Sequence, residues 1–160
     1  MHSIIMSTGG IPLIYLGDEI GTLNDYSYMS EADKKGDSRW VNRPKFDQAR
    51  FDQRENPESQ AGRIFSGFSK MIQVRKSTPE FAGGQLVGFR THNPSVLGYQ
   101  RPGKEATVLC LANFSDDSQW VGAETLGALS GGAVDLISGA TISTHHGIHL
   151  KSHQYLWLKY

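Results

Sequence analysis

Gly10-Ile-Pro-Leu-Ile-Tyr-Leu-Gly-Asp-Glu-Ile-Gly21 decides how this chain is read. A short apolar run, Ile11 to Leu16, stops at Gly17 and delivers two adjacent carboxylates, Asp18 and Glu19. A run this apolar and this short predicts a strand buried on both faces, as in a parallel sheet beneath helices. Pro12 stands near its start, where a missing N–H costs the ladder nothing. Carboxylates at the C-terminal tip of such a strand occupy the position where barrel enzymes place their working groups.

Working outward, Ile4, Ile5 and the Gly9-Gly10 break read as the last turn of a helix ending before the strand. Downstream, residues 21 to 55 are polar with little hydrophobic period, yet carry Tyr26, Tyr28, Trp40, Phe46 and Phe51. A loop this long inside a compact domain is either functional or disordered, and interleaved aromatics favour function. Asn56-Pro57-Glu58 then predicts a helix start, with Asn as cap, Pro at the first position and Glu complementing the dipole. Ile64, Phe65, Phe68, Met71, Ile72 and Arg75 follow the spacing of one buried stripe, and Thr78-Pro79 stops it.

Gly83-Gly84 reads as a boundary. Beyond it the grammar changes to short apolar segments at 86–91, 96–101, 106–114, 119–121, 133–137, 147–150 and 154–160. Turn signals at Asn93-Pro94, Arg101-Pro-Gly103, Ser115-Asp-Asp117 and Ser138-Gly139 separate them. This is the pattern of an antiparallel sandwich. The fold class is therefore α/β plus all-β: the last strand-helix unit of a (β/α)8 barrel over 1–82, then an antiparallel C-terminal β-sandwich over 85–160.

Composition narrows the function classes. The 16 basic and 16 acidic residues cancel and form no basic stripe, which argues against a nucleic-acid partner. No apolar stretch is long enough to cross a bilayer, and Met1-His-Ser-Ile-Ile-Met lacks the form of a signal peptide, so the default expectation is a cytoplasmic protein. Cys110, the single cysteine, lies in an apolar run and reads as a core thiol. His145, His146, His149 and His153 invite a metal reading. However, Gly147 with alternating Ile148 and Leu150 predicts a turn and strand, so they read as a solvated hairpin. Asp116-Asp117 reads as a turn. No metal and no cofactor is expected. Without a Gly-x-Ser-x-Gly elbow, a serine hydrolase is not supported.

The strand motif from Gly10 to Glu19, the loop and the trailing sandwich together resemble the C-terminal part of an alpha-amylase-superfamily enzyme, one of the family 13 glycoside hydrolases. Within that superfamily, Gly21-Thr-Leu-Asn-Asp25, Asp37-Ser-Arg-Trp-Val-Asn-Arg-Pro44 and Met71-Ile-Gln-Val-Arg75 resemble the amylosucrase branch. Leu111-Ala-Asn-Phe-Ser115 and Leu156-Trp-Leu158 resemble strands of its terminal domain. The resemblance implies a retaining glucosyltransferase using sucrose as donor and an α-glucan as acceptor, without nucleotide sugar or metal. It also implies that nucleophile, acid/base and third aspartate lie on earlier strands, so no catalytic residue is assigned here and the isolated chain is expected to be inactive.

Arg39 is the leading substrate-binding candidate and Arg43 the second. In the resemblance an arginine of this loop closes the floor of the glucose pocket, and a guanidinium fork suits carboxylates and sugar hydroxyls. The alternative is an arginine paired with Asp37 to shape the loop. Asp18, Glu19 and Asp37 read as supporting carboxylates that hold neighbouring groups by hydrogen bonds. Tyr15 reads as barrel wall, and Trp40, Tyr26 and Tyr28 as loop packing with sugar stacking as the alternative. An unpartnered barrel strand exposes backbone groups, so the isolated chain is expected to self-associate through residues 10–16 or leave residues 1–80 partly disordered. The competing function class is a stand-alone sandwich that binds glucan or a partner protein, with Trp120, Tyr99 and Trp157 as its only aromatic platform.

Overall fold

A computed structural model describes residues 1–129 and 132–160. The chain divides into two compact units, Met1–Pro12 with Met71–Tyr160, and Leu13–Lys70.

The first unit is built on antiparallel sheet. Its strands are β1 (Val87–Gly88), β2 (Val96–Pro102), β3 (Thr107–Asn113), β4 (Gln119–Val121), β5 (Ala133–Asp135), β6 (Thr141–Ile142), β7 (Ile148–Leu150) and β8 (Tyr155–Lys159). Six strands form one sheet in the order β1-β2-β3-β8-β5-β6, and β4 pairs with β7 in a second. The register Leu109↔Leu158 and Leu111↔Leu156 places four leucines on one face of the larger sheet. They pack with Val121, Ile148 and Leu150 of the smaller sheet and with Leu126 and Leu129 to form the core. The expected antiparallel sandwich is thus present, with period-2 alternation deciding which side chains enter it.

The larger sheet is buried on its second face as well. Cys110 pairs in register with Tyr99 and Trp157 there, and all three are buried. The helix α1 (His2–Ser7) covers part of this face: Ser7 Oγ lies 2.6 Å from the Tyr99 hydroxyl. A 3-10 turn at Pro79–Phe81 covers another part, setting the Phe81 ring edge-on to Trp157 at 4.9 Å between centroids. Arg101, also buried on this face, donates from Nε to the Glu80 carbonyl at 3.1 Å and from Nη1 to that of Thr8 at 2.6 Å. Its Nη2 donates to the carbonyl of Gly83. A buried guanidinium held by three carbonyls keeps its charge hydrogen-bonded where water cannot reach. Lys159 Nζ pairs with Glu80 Oε1 at 2.8 Å beside it.

The second unit is loop-rich, with 3-10 turns at Asp18–Ile20, Ser27–Ser30 and Ser38–Asn42 and a short helix α2 (Gln48–Asp52). Arg50 of α2 donates through Nε to the Ile20 carbonyl at 2.7 Å and through Nη2 to Gln60 Oε1 at 2.9 Å. The long helix α3 (Gln60–Lys76) begins in this unit.

Four details depart from expectation. Residues 11–15 form no strand, and Ile11, Leu13 and Leu16 are exposed. A strand is defined by its ladder, and no described segment pairs with this one. Helix α3 starts at Gln60 instead of beside Asn56: Ser59 Oγ accepts from the Gly62 amide at 2.8 Å, while Asn56 Oδ1 accepts from Glu58 in a turn before the helix. On α3, Ile72 is exposed and Val74 is buried in its place. The strand expected at 133–137 ends at Asp135, because its carboxylate accepts from the Ile137 and Ser138 amides and bends the chain.

Candidate functional site

Two glycines open the loop that follows the apolar run. Gly17 takes φ +101°, and a Cβ there would meet Thr22 Oγ1 at 2.7 Å. Gly21 takes φ +66°, and a Cβ there would run into Ile64 Cδ1. Only glycine suits both the conformation and the approach. Between them the chain makes a 3-10 turn, so Asp18 and Glu19 sit in a turn and not at the tip of a strand. Glu19 Oε2 accepts from the Gly17 amide at 2.8 Å, and Asp18 Oδ2 accepts from the Tyr15 amide at 3.3 Å. Both carboxylates therefore hold turn backbone.

The second half of the site is the 3-10 turn Ser38–Asn42. Asp37 caps it, accepting from the Arg39 amide at 3.0 Å. The same carboxylate takes the Arg39 side chain as a fork, Nε to Oδ1 at 2.8 Å and Nη2 to Oδ2 at 2.7 Å. The side-chain hydrogen bonds from Arg39, followed by its backbone amide, hold the Asp37 carboxyl down at about 2. The pair fixes the start of the turn, and the Arg43 amide closes its end on the Trp40 carbonyl at 3.0 Å. The Asp25 amide donates to the Val41 carbonyl at 2.9 Å and ties this turn to the earlier part of the loop. Lys34 Nζ and Arg43 Cζ lie 5.0 and 5.7 Å from the centre of the Trp40 ring.

The two turns enclose a cleft of about 430 Å³. Its walls include Tyr15, Asp18, Asn24, Arg39, Asn42 and Arg43. Both candidate arginines and one candidate carboxylate thus reach one cavity. Glu19 and Asp37 do not line it, and neither do Tyr26, Tyr28 or Trp40. Asn24 and Asn42 were not singled out from sequence, although both sit in the quoted Thr-Leu-Asn-Asp and Ser-Arg-Trp-Val-Asn blocks. Their amides add donors and acceptors matched to hydroxyls.

The remaining candidates are placed as follows. His145, His146 and His149 are exposed, and His153 Nε2 lies 2.9 Å from Asp116 Oδ1. Among the described residues no three His, Cys, Asp or Glu side chains group where they would hold a metal. Cys110 is buried, and burial pushes its thiol up to about 12. Among the described residues no helix is long and apolar enough to cross a membrane.

No family model matches the chain. It is similar to glucosylglycerate phosphorylase of Escherichia coli (strain K12), at 29% identity over 99% of the chain and 27% of the relative. It is similar too to glucosylglycerate phosphorylase of Allomeiothermus silvanus, at 33% identity over 74% of the chain and 21% of the relative. The chain therefore spans only about a quarter of the length of the curated relatives it matches. Among solved structures it is similar in fold to AmyP in complex with maltotriose, with a TM-score of 0.71 at 18% identity over 98% of the chain and 33% of AmyP. It also matches Bacillus licheniformis trehalose-6-phosphate hydrolase, with a TM-score of 0.69 at 18% identity over 99% of the chain and 38% of that enzyme. A third likeness is to trehalulose synthase MutB from Pseudomonas mesoacidophila, with a TM-score of 0.67 at 16% identity over 99% of the chain and 37% of MutB.

Proposed function

We propose, for a chain that matches the C-terminal part of an alpha-amylase-superfamily enzyme, that it supplies one wall of the donor-sugar cleft of a retaining α-glucosyl-transferring enzyme. Residues 1–82 are the last strand-helix unit of that enzyme's barrel and residues 85–160 its terminal sandwich, acting in the cytoplasm. The single observation that carries this reading is the cleft between the turns at Asp18 and Ser38, which gathers Arg39, Arg43, Asn24 and Asn42. The chemistry is displacement at the anomeric carbon by a carboxylate, protonation of the departing group, and passage of the glucosyl unit to an acceptor. The residues performing those steps belong to earlier strands, and this chain's part is to bind and orient the sugar. The exposed Ile11, Leu13 and Leu16 support a run that completes a sheet with neighbouring strands in the whole enzyme, or with a second copy when the chain is alone.

Two donors suit this reading, each on its own observation. An α-glucosyl glycerate cleaved by phosphate is supported by the names of the relatives at 29% and 33% identity. Sucrose, with growth of an α-glucan, is supported by the Thr-Leu-Asn-Asp and Ser-Arg-Trp blocks and by a structural neighbour, MutB, solved with the substrate sucrose. The stand-alone glucan-binding reading loses its platform, because Tyr99 and Trp157 are buried and Trp120 alone stays exposed.

The test is an assay of the native protein captured from its source with an antibody against residues 85–160. It is supplied with sucrose and glycogen, or with glucosylglycerate and phosphate. Release of fructose selects the first donor and release of glucose 1-phosphate the second. Neither product, from protein that remains folded, overturns the glucosyl-transfer reading.

A further inference from the structure

Two guanidiniums grip one short stretch of backbone. Arg75, near the end of α3, donates from Nη1 to the Met6 carbonyl and from Nη2 to the Gly10 carbonyl, the latter at 2.7 Å. Arg101 of β2 takes the Thr8 carbonyl between them at 2.6 Å, while its Nε and Nη2 reach Glu80 and Gly83. Gly9 lies against this fork: a Cβ there would meet Nη1 at 3.1 Å and Nη2 at 3.2 Å, and its φ of +100° also selects glycine. Among the described residues no carboxylate forms an ion pair with either arginine. Burial, and then the neighbouring Arg101 charge, pull the Arg75 guanidinium down from its ordinary value. Two like charges kept close together and partly out of water are costly, and apolar side chains would fill the same space at lower cost. What the guanidiniums add is a fixed position for the backbone of residues 6–10.

Gly10 leads straight into the apolar run 11–16. That run is apolar at nearly every position, so it carries no inside–outside alternation to fix its register against neighbouring strands. A slip of one residue would turn every side chain to the opposite face and move the tip of the run by about 3.3 Å. Tyr15 and Leu16 at that tip, with Gly17 and Asp18 beyond, line the cleft. We propose that Arg75 and Arg101 are positioning residues of the glucosyl-transfer site: by holding the carbonyls of Met6, Thr8 and Gly10 they set the register in which the run enters its sheet. This assignment rests on the reading of the cleft as a glucosyl-transfer site and of the run as a barrel strand. It gives the terminal sandwich, which supplies Arg101, a part in placing the cleft wall.

The experiment places Arg75→Lys, Arg101→Lys and Gly9→Ala in the whole native protein, with Leu126→Ala in the main sandwich core as a variant that loses stability away from the clamp. Lysine keeps each charge but, as a point and not a planar fork, does not reproduce the grip on several carbonyls. Gly9→Ala presses on the Arg101 fork from the other side and stands in should Arg101→Lys fail to fold. Each clamp variant is expected to lower kcat about tenfold or more with a smaller change in KM, since a wall misplaced by about 1 Å is enough for that. Gly9→Ala combined with Arg101→Lys should be little worse than either alone, because both break one contact. Hydrogen exchange over residues 11–16, read without substrate, should quicken in the clamp variants and not in Leu126→Ala. Assayed well below its melting temperature, Leu126→Ala should keep the parent's kcat. Parent-like kcat in all three clamp variants, or an equal loss in Leu126→Ala, overturns the proposal. A parent that turns over neither donor overturns the glucosyl-transfer reading instead. Unchanged exchange would then overturn the clamp as well, and faster exchange would uphold it as the device that sets the register of the run.

Discussion

The guanidinium of Arg39 grips the carboxylate of Asp37 through Nε and Nη2 at 2.8 and 2.7 Å, two residues apart in one turn. The grip lowers the Asp37 carboxyl from its ordinary 3.8 to about 2. A carboxyl depressed on folding contributes order that is complete above its unfolded value and lost as pH falls through its folded one. The turn Ser38–Asn42 is therefore expected to hold down to about pH 4 and to loosen between there and about 2. An NMR titration of the Asp37 carboxyl should give a midpoint near 2, returning toward 3.8 in Arg39→Gln. An unchanged midpoint in that variant would show that the pair does not hold the turn.

Gly17 and Thr22 make the other wall of the cleft sensitive to a single methyl group. Gly17→Ala places a Cβ against Thr22 Oγ1 at 2.7 Å and forces a side chain into φ +101°. The cost expected is about 1–3 kcal/mol for the conformation, with the contact added. Thr22→Ala in the same chain should recover only the contact, since Thr22 Oγ1 has no hydrogen-bond partner to lose. Denaturant midpoints of the single and double variants check both statements.

Phe81 and Trp157 join the 3-10 turn to the sheet on the face away from the main core. Phe81 is fully buried, and its truncation to Ala should cost about 3–5 kcal/mol. Ile72→Ala, on the exposed side of α3, should stay within about 0.5 kcal/mol. Urea unfolding followed by tryptophan fluorescence separates the two. Equal effects would mean that the second face of the sheet is not packed as described.

Burial of Cys110 makes its thiol a reporter of global unfolding. Its proton is held up to about 12 against an ordinary 9, so the unfolded chain ionises first and stability declines as pH rises above about 9. At pH 8 a thiol reagent should leave the native protein untouched and titrate one thiol in denaturant. Rapid labelling of the native protein would place Cys110 outside the core.

Much of the sandwich was legible because β2, β3 and β8 fall in short apolar segments fenced by turn residues such as Arg101-Pro-Gly103. Alternation separates two faces but does not say what covers each, so Tyr99 and Trp157 stood open to the competing glucan-binding reading, whereas α1 and Phe81 cover them. β6, at Thr141–Ile142, is too short to carry a period at all. Ile11–Leu16 has the composition of a buried strand, yet strand formation requires a partner edge that composition cannot supply. At the site, the resemblance pointed to Arg39 and Arg43, with Asp18, Glu19 and Asp37 as supporting carboxylates; Arg39, Arg43 and Asp18 line the cleft, and Glu19 and Asp37 do not. Which arginine is committed to Asp37 depends on the turn Ser38–Asn42, a matter of local geometry invisible in a loop without period.

The measurement that tests the central claim most directly is the mass of the native species in its source, detected with the antibody against residues 85–160. A species several times heavier than 17.7 kDa is expected, with this chain as the terminal part of the proposed glucosyl-transferring enzyme. A species at 17.7 kDa would contradict it, because the cell would then make these residues without the strands that carry the chemistry.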